Sequence, residues 1–133
     1  MSKIIIVVVF LIFLVGCKKE TVATSTLANL VFTSVNTPVI ANQGKDITSK
    51  VKFYAPDLCY HFSGFQIKEV APLQFEISAR ATYPNSLAGD IVCLQVVTYF
   101  DTTVNIPTTV KGKYILRYYN SNLLFKADTV AVN

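Results

Sequence analysis

The sequence predicts an all-β fold, an antiparallel sandwich of two sheets built from about seven strands. Three observations carry that expectation. After position 16, 47 residues are Val, Ile, Thr, Phe or Tyr, whereas the whole chain of 133 residues holds only seven Glu and Gln, so residues suited to a pleated, half-buried surface outnumber good helix formers. Apolar and polar side chains alternate along several segments, which is the period of a strand with one face in a core. Turn residues punctuate these runs at short intervals, and one sheet alone would leave its apolar face in water.

The first 16 residues stand apart. Lys3 precedes twelve unbroken apolar residues, 4–15, the pattern of an export signal and too short for the roughly 20 residues of a membrane span. The run closes on Leu14-Val15-Gly16-Cys17. This tetrapeptide resembles the lipobox of bacterial lipoproteins, and the terse apolar run with its Cys-Lys-Lys-Glu tail is similar to small lipoproteins of the Bacteroidota. The resemblance implies cleavage before Cys17, which then carries a thioether-linked diacylglycerol and an acylated amino group. Two or more acyl chains suffice for stable anchoring. Lys18, not Asp, follows Cys17, and in that family this implies delivery to the outer membrane, on either its periplasmic or its surface face. The expected organisation is a signal peptide over 1–16, a lipidated cysteine and flexible tether over 17–26, and one sandwich domain over 27–133.

Within the domain, 26–35 reads as a first strand and 37–41 as a short edge piece carrying Pro38. After the turn residues of 42–46, the segment 47–55 sets Val51, Phe53 and Ala55 against Thr48, Lys50 and Lys52. Residues 58–70 alternate on either side of Ser63-Gly64, where the phase slips by one, as a bulge would produce. The clearest alternation is 73–83, with Leu73, Phe75, Ile77, Ala79, Ala81 and Tyr83 on one face. Residues 91–100 are apolar on both faces and read as a central strand, followed by a long connection over 101–111. A hairpin ends the chain: 113–119, the turn Asn120-Ser121-Asn122, and 123–132. Here Gly112-Lys113-Tyr114-Ile115-Leu116 resembles the tyrosine-corner region of immunoglobulin-like domains, which implies an immunoglobulin-like sandwich. Val110 replaces that family's usual acid, Leu116 its second core cysteine, and the chain has no tryptophan.

Chemistry-bearing residues are sparse. The lone histidine, His61, leaves no second imidazole for a hydrolytic triad, no G-x-S-x-G elbow occurs, and the glycines after the signal are isolated. Cys59 and His61 would supply two metal ligands at most. The net charge is +4, with the basic residues dispersed, so nucleic-acid binding is not expected. With Cys17 assigned to lipid by resemblance, Cys59 and Cys93 remain as a pair expected to be bridged in an oxidising compartment, the alternative being two buried thiols.

The expectation is therefore a non-enzyme without cofactor or metal, a lipid-anchored binding or structural module of the cell envelope with a protein or glycan partner. An inhibitor of an envelope hydrolase and a surface glycan- or substrate-capture domain are the alternatives. Tyr60, His61, Phe62 and Phe65 form the candidate partner patch, rings with polar tips at a sandwich end, where the competing role is packing. Asp101-Thr102-Thr103 resembles the O-glycosylation acceptor of secreted Bacteroidota proteins and marks Thr102, in the expected loop, as a modification candidate; Asp128-Thr129-Val130 shares the pattern in an expected strand.

Overall fold

The computed structural model describes residues 25–85 and 91–133. The expected export signal, Cys17 and most of the expected tether lie outside them. The described residues form nine strands: β1 (Ser25–Asn29), β2 (Val31–Asn36), β3 (Ile40–Ala41), β4 (Ile47–Ala55), β5 (His61–Ala71), β6 (Gln74–Pro84), β7 (Thr98–Ile106), β8 (Gly112–Asn120) and β9 (Leu123–Val132). Six pair in one sheet, in the order β1-β6-β8-β9-β3 with β5 on β6, and β2-β4-β7 make the other. The chain is thus an all-β two-sheet sandwich, with nine strands in place of about seven.

The additional strands arise where one apolar run serves both sheets. The expected strand 26–35 divides at Leu30, a fully buried residue whose amide donates to the Ala79 carbonyl at 2.9 Å. Before it, β1 pairs with β6; after it, β2 pairs with β4. Asn120 fixes this crossing, because its Oδ1 accepts from the Phe32 amide at 2.7 Å and its Nδ2 donates to the Phe32 carbonyl at 3.2 Å. Ser25, expected in the tether, already belongs to β1.

β6 organises the larger sheet. One of its edges pairs with β5, and the other is divided between β1, over Arg80 to Pro84, and β8, over Gln74 to Ile77. Most pairings are antiparallel, but β6–β8 and the two-residue β3–β9 contact are parallel. The immunoglobulin arrangement is built on two antiparallel sheets, and the parallel pairing of β8 with β6 departs from it.

The tyrosine corner itself is present. Tyr114 is buried and donates from its hydroxyl to the Val110 carbonyl at 3.0 Å, pinning the approach to β8. Gly112 lies between them with φ of +148°, a backbone conformation that favours glycine, and a Cβ there would stand 2.7 Å from Leu73 Cδ1 and oblige that side chain to shift. Between the sheets, Phe32 meets Phe53 and Tyr118 edge to face at ring distances of 6.0 and 5.7 Å. Val51, Ile77, Val104, Ile106, Leu116 and Val130 complete the core around them. A short polar chain runs through it, in which buried Ser49 donates to Thr37 Oγ1 at 3.0 Å and that oxygen lies 3.3 Å from the Tyr118 hydroxyl.

The segment 91–100 differs from its expectation. Residues 91–97 lie outside the strands and are largely exposed, and the strand begins at Thr98. The anticipated loop at 101–106 is instead most of β7, paired along its length with β4. Apolar side chains on both faces suggested a central position, but β7 is the outer strand of a three-stranded sheet whose inward face is supplied by Phe100, Thr102, Val104 and Ile106.

Two stability experiments follow from these contacts. Tyr114→Phe removes the corner hydrogen bond and leaves the Val110 carbonyl without it, and should lower stability by about 1–2 kcal/mol, read as a lower urea midpoint at unchanged m. Burial raises the Tyr118 phenol above its ordinary value of 10.0, opposed by its hydrogen bonds to Ser49 and Thr37. The folded state therefore holds that proton more tightly than the unfolded chain, so the stability it contributes is complete below pH 10 and is lost as the pH rises further. Tyr118→Phe should flatten the fall in stability above pH 10 in urea titrations.

Candidate functional site at the disulfide end

One end of the sandwich gathers the sequence-predicted site residues. The connection 56–60 carries the chain from β4 in the small sheet to β5 in the large one, and the approach to β7 passes over the same end. Asp57 folds the connection locally: its Oδ1 accepts from the Cys59 amide two residues on, at 2.8 Å. Cys59 is then presented to Cys93, and the two are joined by a disulfide with a Cα–Cα separation of 5.5 Å, within the usual span. The Leu58 amide donates to the Leu94 carbonyl at 3.2 Å, and the Tyr83 hydroxyl lies 3.6 Å from Cys93 Sγ.

The four residues of the candidate patch divide between two roles. The pairing of β5 with β6 shifts between Phe62 and Gly64, and Gly64 takes φ of +116°, so the phase slip at Ser63-Gly64 is a bulge. Its consequence is that Phe62 and Phe65 both reach Phe53, at ring distances of 4.9 and 5.7 Å, and pack on the core. Tyr60 stacks obliquely on Tyr83 at 4.6 Å and remains half-buried, while His61 is exposed at the start of β5. Burial first, then charge repulsion from Asp57 and from the Tyr83 phenol group, raise the Tyr60 phenol above its ordinary value. The open part of the patch is accordingly Tyr60 and His61, whereas Phe62 and Phe65 are committed mainly to packing.

Among the described residues Asp57, Cys59 and Cys93 bring three ligand-type atoms within 4.8 Å of one another. Both sulfurs are spent in the disulfide, and Asp57 is bound to the Cys59 amide, so this trio has no thiolate to offer a metal. Thr102 is not in a loop. It sits in β7 on the same face as buried Val104 and Ile106 and is half-buried, while Thr129 is exposed on β9.

Two further concavities had no counterpart in the sequence reading. A shallow cleft of about 360 Å³ lies between Gln66 and Lys68 of β5, Glu76 and Ser78 of β6, and Tyr119 and Ser121 near the β8–β9 turn. Another lies over Lys50, Lys52 and Asp101 of the small sheet, where the exposed Lys52–Asp101 pair at 3.3 Å adds little stability. Each draws on segments far apart in the chain, and only strand register brings them together.

The geometry defines a β-sandwich whose two sheets are tied at one end by a disulfide and at the other by a tyrosine corner. Residues 49–126, from within β4 to within β9, match the model of the ORF11 beta-sandwich domain, and the chain belongs to that family. No curated protein and no solved structure matches it.

Opening the bridge should be costly. Cys59→Ser or Cys93→Ser removes a loop closure of 34 residues and should lower stability by roughly 3–4 kcal/mol in urea unfolding, whereas thiol labelling of the unreduced folded protein should find neither cysteine reactive.

Proposed function

We propose that the protein is a lipid-anchored component of the bacterial cell envelope, held by Cys17 at the outer membrane, whose sandwich acts without catalysis as a binding or structural module. The observation that carries this reading is the Leu14-Val15-Gly16-Cys17 sequence closing a charged-then-apolar export signal. The Cys59–Cys93 disulfide supports it, because such bridges persist in oxidising compartments. The non-catalytic part is supported by the site: the single histidine is exposed at a strand start, and the cysteines are committed to each other. Tyr60, at the end of the connection 56–60, and His61 after it are the surface through which a protein or glycan partner would be met.

The inhibitor reading drew on a projecting segment at 101–111. With 101–106 paired in β7, only 107–111 remains as connection, and Thr108 within it is buried, its hydroxyl shared between the Asn42 and Lys45 carbonyls at 3.0 and 2.7 Å. Binding by the disulfide end is therefore the favoured reading.

Cys17→Ala should leave an unprocessed precursor without lipid by mass spectrometry of the membrane fraction. Normal acylation of that variant would overturn the anchor. Protease treatment of intact cells then assigns the face, since digestion from outside places the domain at the surface, and survival until the outer membrane is breached places it in the periplasm.

A further inference from the structure

The disulfide end carries an apolar surface that the core does not use. From Ile91 to Phe100 the chain has no charged residue, and its first seven residues lie outside the strands. Val92 is 83% exposed and Leu94 62%, with Ile91, Val97 and neighbouring Leu58 close to half exposed. These side chains are not free to collapse elsewhere, because the Cys59–Cys93 bridge and the Leu58–Leu94 hydrogen bond pin their backbone to the domain. Exposed apolar side chains clustered along one fixed segment mark a contact. The opposite end also exposes Val39, Ile40 and Val110, but there the connections 42–46 and 107–111 carry Lys45, Asp46 and Lys111.

The path of the chain says what the contact is. β1 begins at this same end, since Ser25 pairs with Pro84, adjacent to the Tyr83 that touches Tyr60 and Cys93. Seven residues, 18–24, lie between Cys17 and Ser25, so the eight steps of chain reach at most about 29 Å when fully extended. A lipid on Cys17 therefore keeps the start of β1, and with it the disulfide end, within that distance of the bilayer, and places no such limit on the opposite end. We propose that this end is a membrane-contact surface, in which Leu58, Ile91, Val92, Leu94 and Val97 enter the interfacial zone of the bilayer that holds the anchor. This rests on the lipid-anchor reading, takes the bilayer in place of a protein or glycan as what the disulfide end meets, and adds an orientation: both sheets stand up from the membrane on that end, with the turn 42–46 and the tyrosine corner outermost. Contact at the protein's own apolar end would act as a second membrane signal beside the acyl chains.

The absence of native tryptophan makes the test direct. Full-length, processed Val92→Trp and Val39→Trp proteins are reconstituted in phosphatidylethanolamine–phosphatidylglycerol vesicles with and without brominated acyl chains, with Leu94→Trp as a second reporter for the contact end. The expected result is quenching by bromolipid at least threefold greater for Val92→Trp and Leu94→Trp than for Val39→Trp, and the reverse order for aqueous acrylamide. Equal quenching at both ends would overturn the contact while leaving the anchor intact. Shielding of position 92 from acrylamide without bromolipid quenching, lost on diluting the protein in lipid, would assign the surface to a second copy of the chain and likewise overturn it. Intact mass separates the two levels, because protein without lipid on Cys17 would overturn the anchor reading itself.

Discussion

Phe32 sits where the chain has just left one sheet for the other, and the rest of the sandwich is arranged around keeping it there. Its ring lies among Phe53, Phe65, Tyr118 and Phe125, which come from both sheets, and its amide and carbonyl are both bound by the Asn120 side chain. The crossing leaves backbone groups that neither ladder satisfies, and an unpaired buried amide is costly. A side-chain amide at the start of the β8–β9 turn supplies the missing donor and acceptor together. The apolar faces of two sheets are thereby held in register by one residue that reads the backbone of another.

With the middle fixed in this way, the two ends are closed by different means. At one end, Tyr114 reaches the Val110 carbonyl, and Gly112 admits Leu73 to the space that a side chain would fill. At the other, the chain crosses between sheets over 56–60 and returns along 91–97, and a covalent bond holds the two passages together. A small domain buries too little apolar area to stabilise every connection by packing alone. The bridge allows the passage 91–97 to remain outside the ladders with its apolar side chains turned to solvent, a state that packing would not preserve. Membership in the ORF11 beta-sandwich family covers the strands from β4 to β9 that build both ends.

Strand identity was legible wherever one face is buried and the other wet. The alternation over 73–83 and 47–55 reads directly onto β6 and β4, and the phase slip at Ser63-Gly64 onto the bulge in β5. It failed where apolar residues stand on both sides for another reason. Residues 91–97 have a buried strand's composition, yet they pass over an end of the fold, and Leu30 gives no local sign that the chain changes sheets there. The candidate patch was legible in its place but not in its division of labour, since the bulge that turns Phe62 and Phe65 inward is a property of pairing with β6.

The sequence by itself determined the fold class, the hairpin over 112–132, the tyrosine that closes the corner, and the two cysteines available to bridge. Those follow from side-chain periodicity, turn chemistry and counting, all of which act within a few residues. Tertiary structure alone decided that β8 takes a parallel neighbour in β6, that Thr102 faces inward from a strand, and that residues 91–97 share an end with Ser25. Each of these depends on which distant segments share an edge, and hydrogen-bond ladders between strands leave no periodicity in either strand from which the partner can be read.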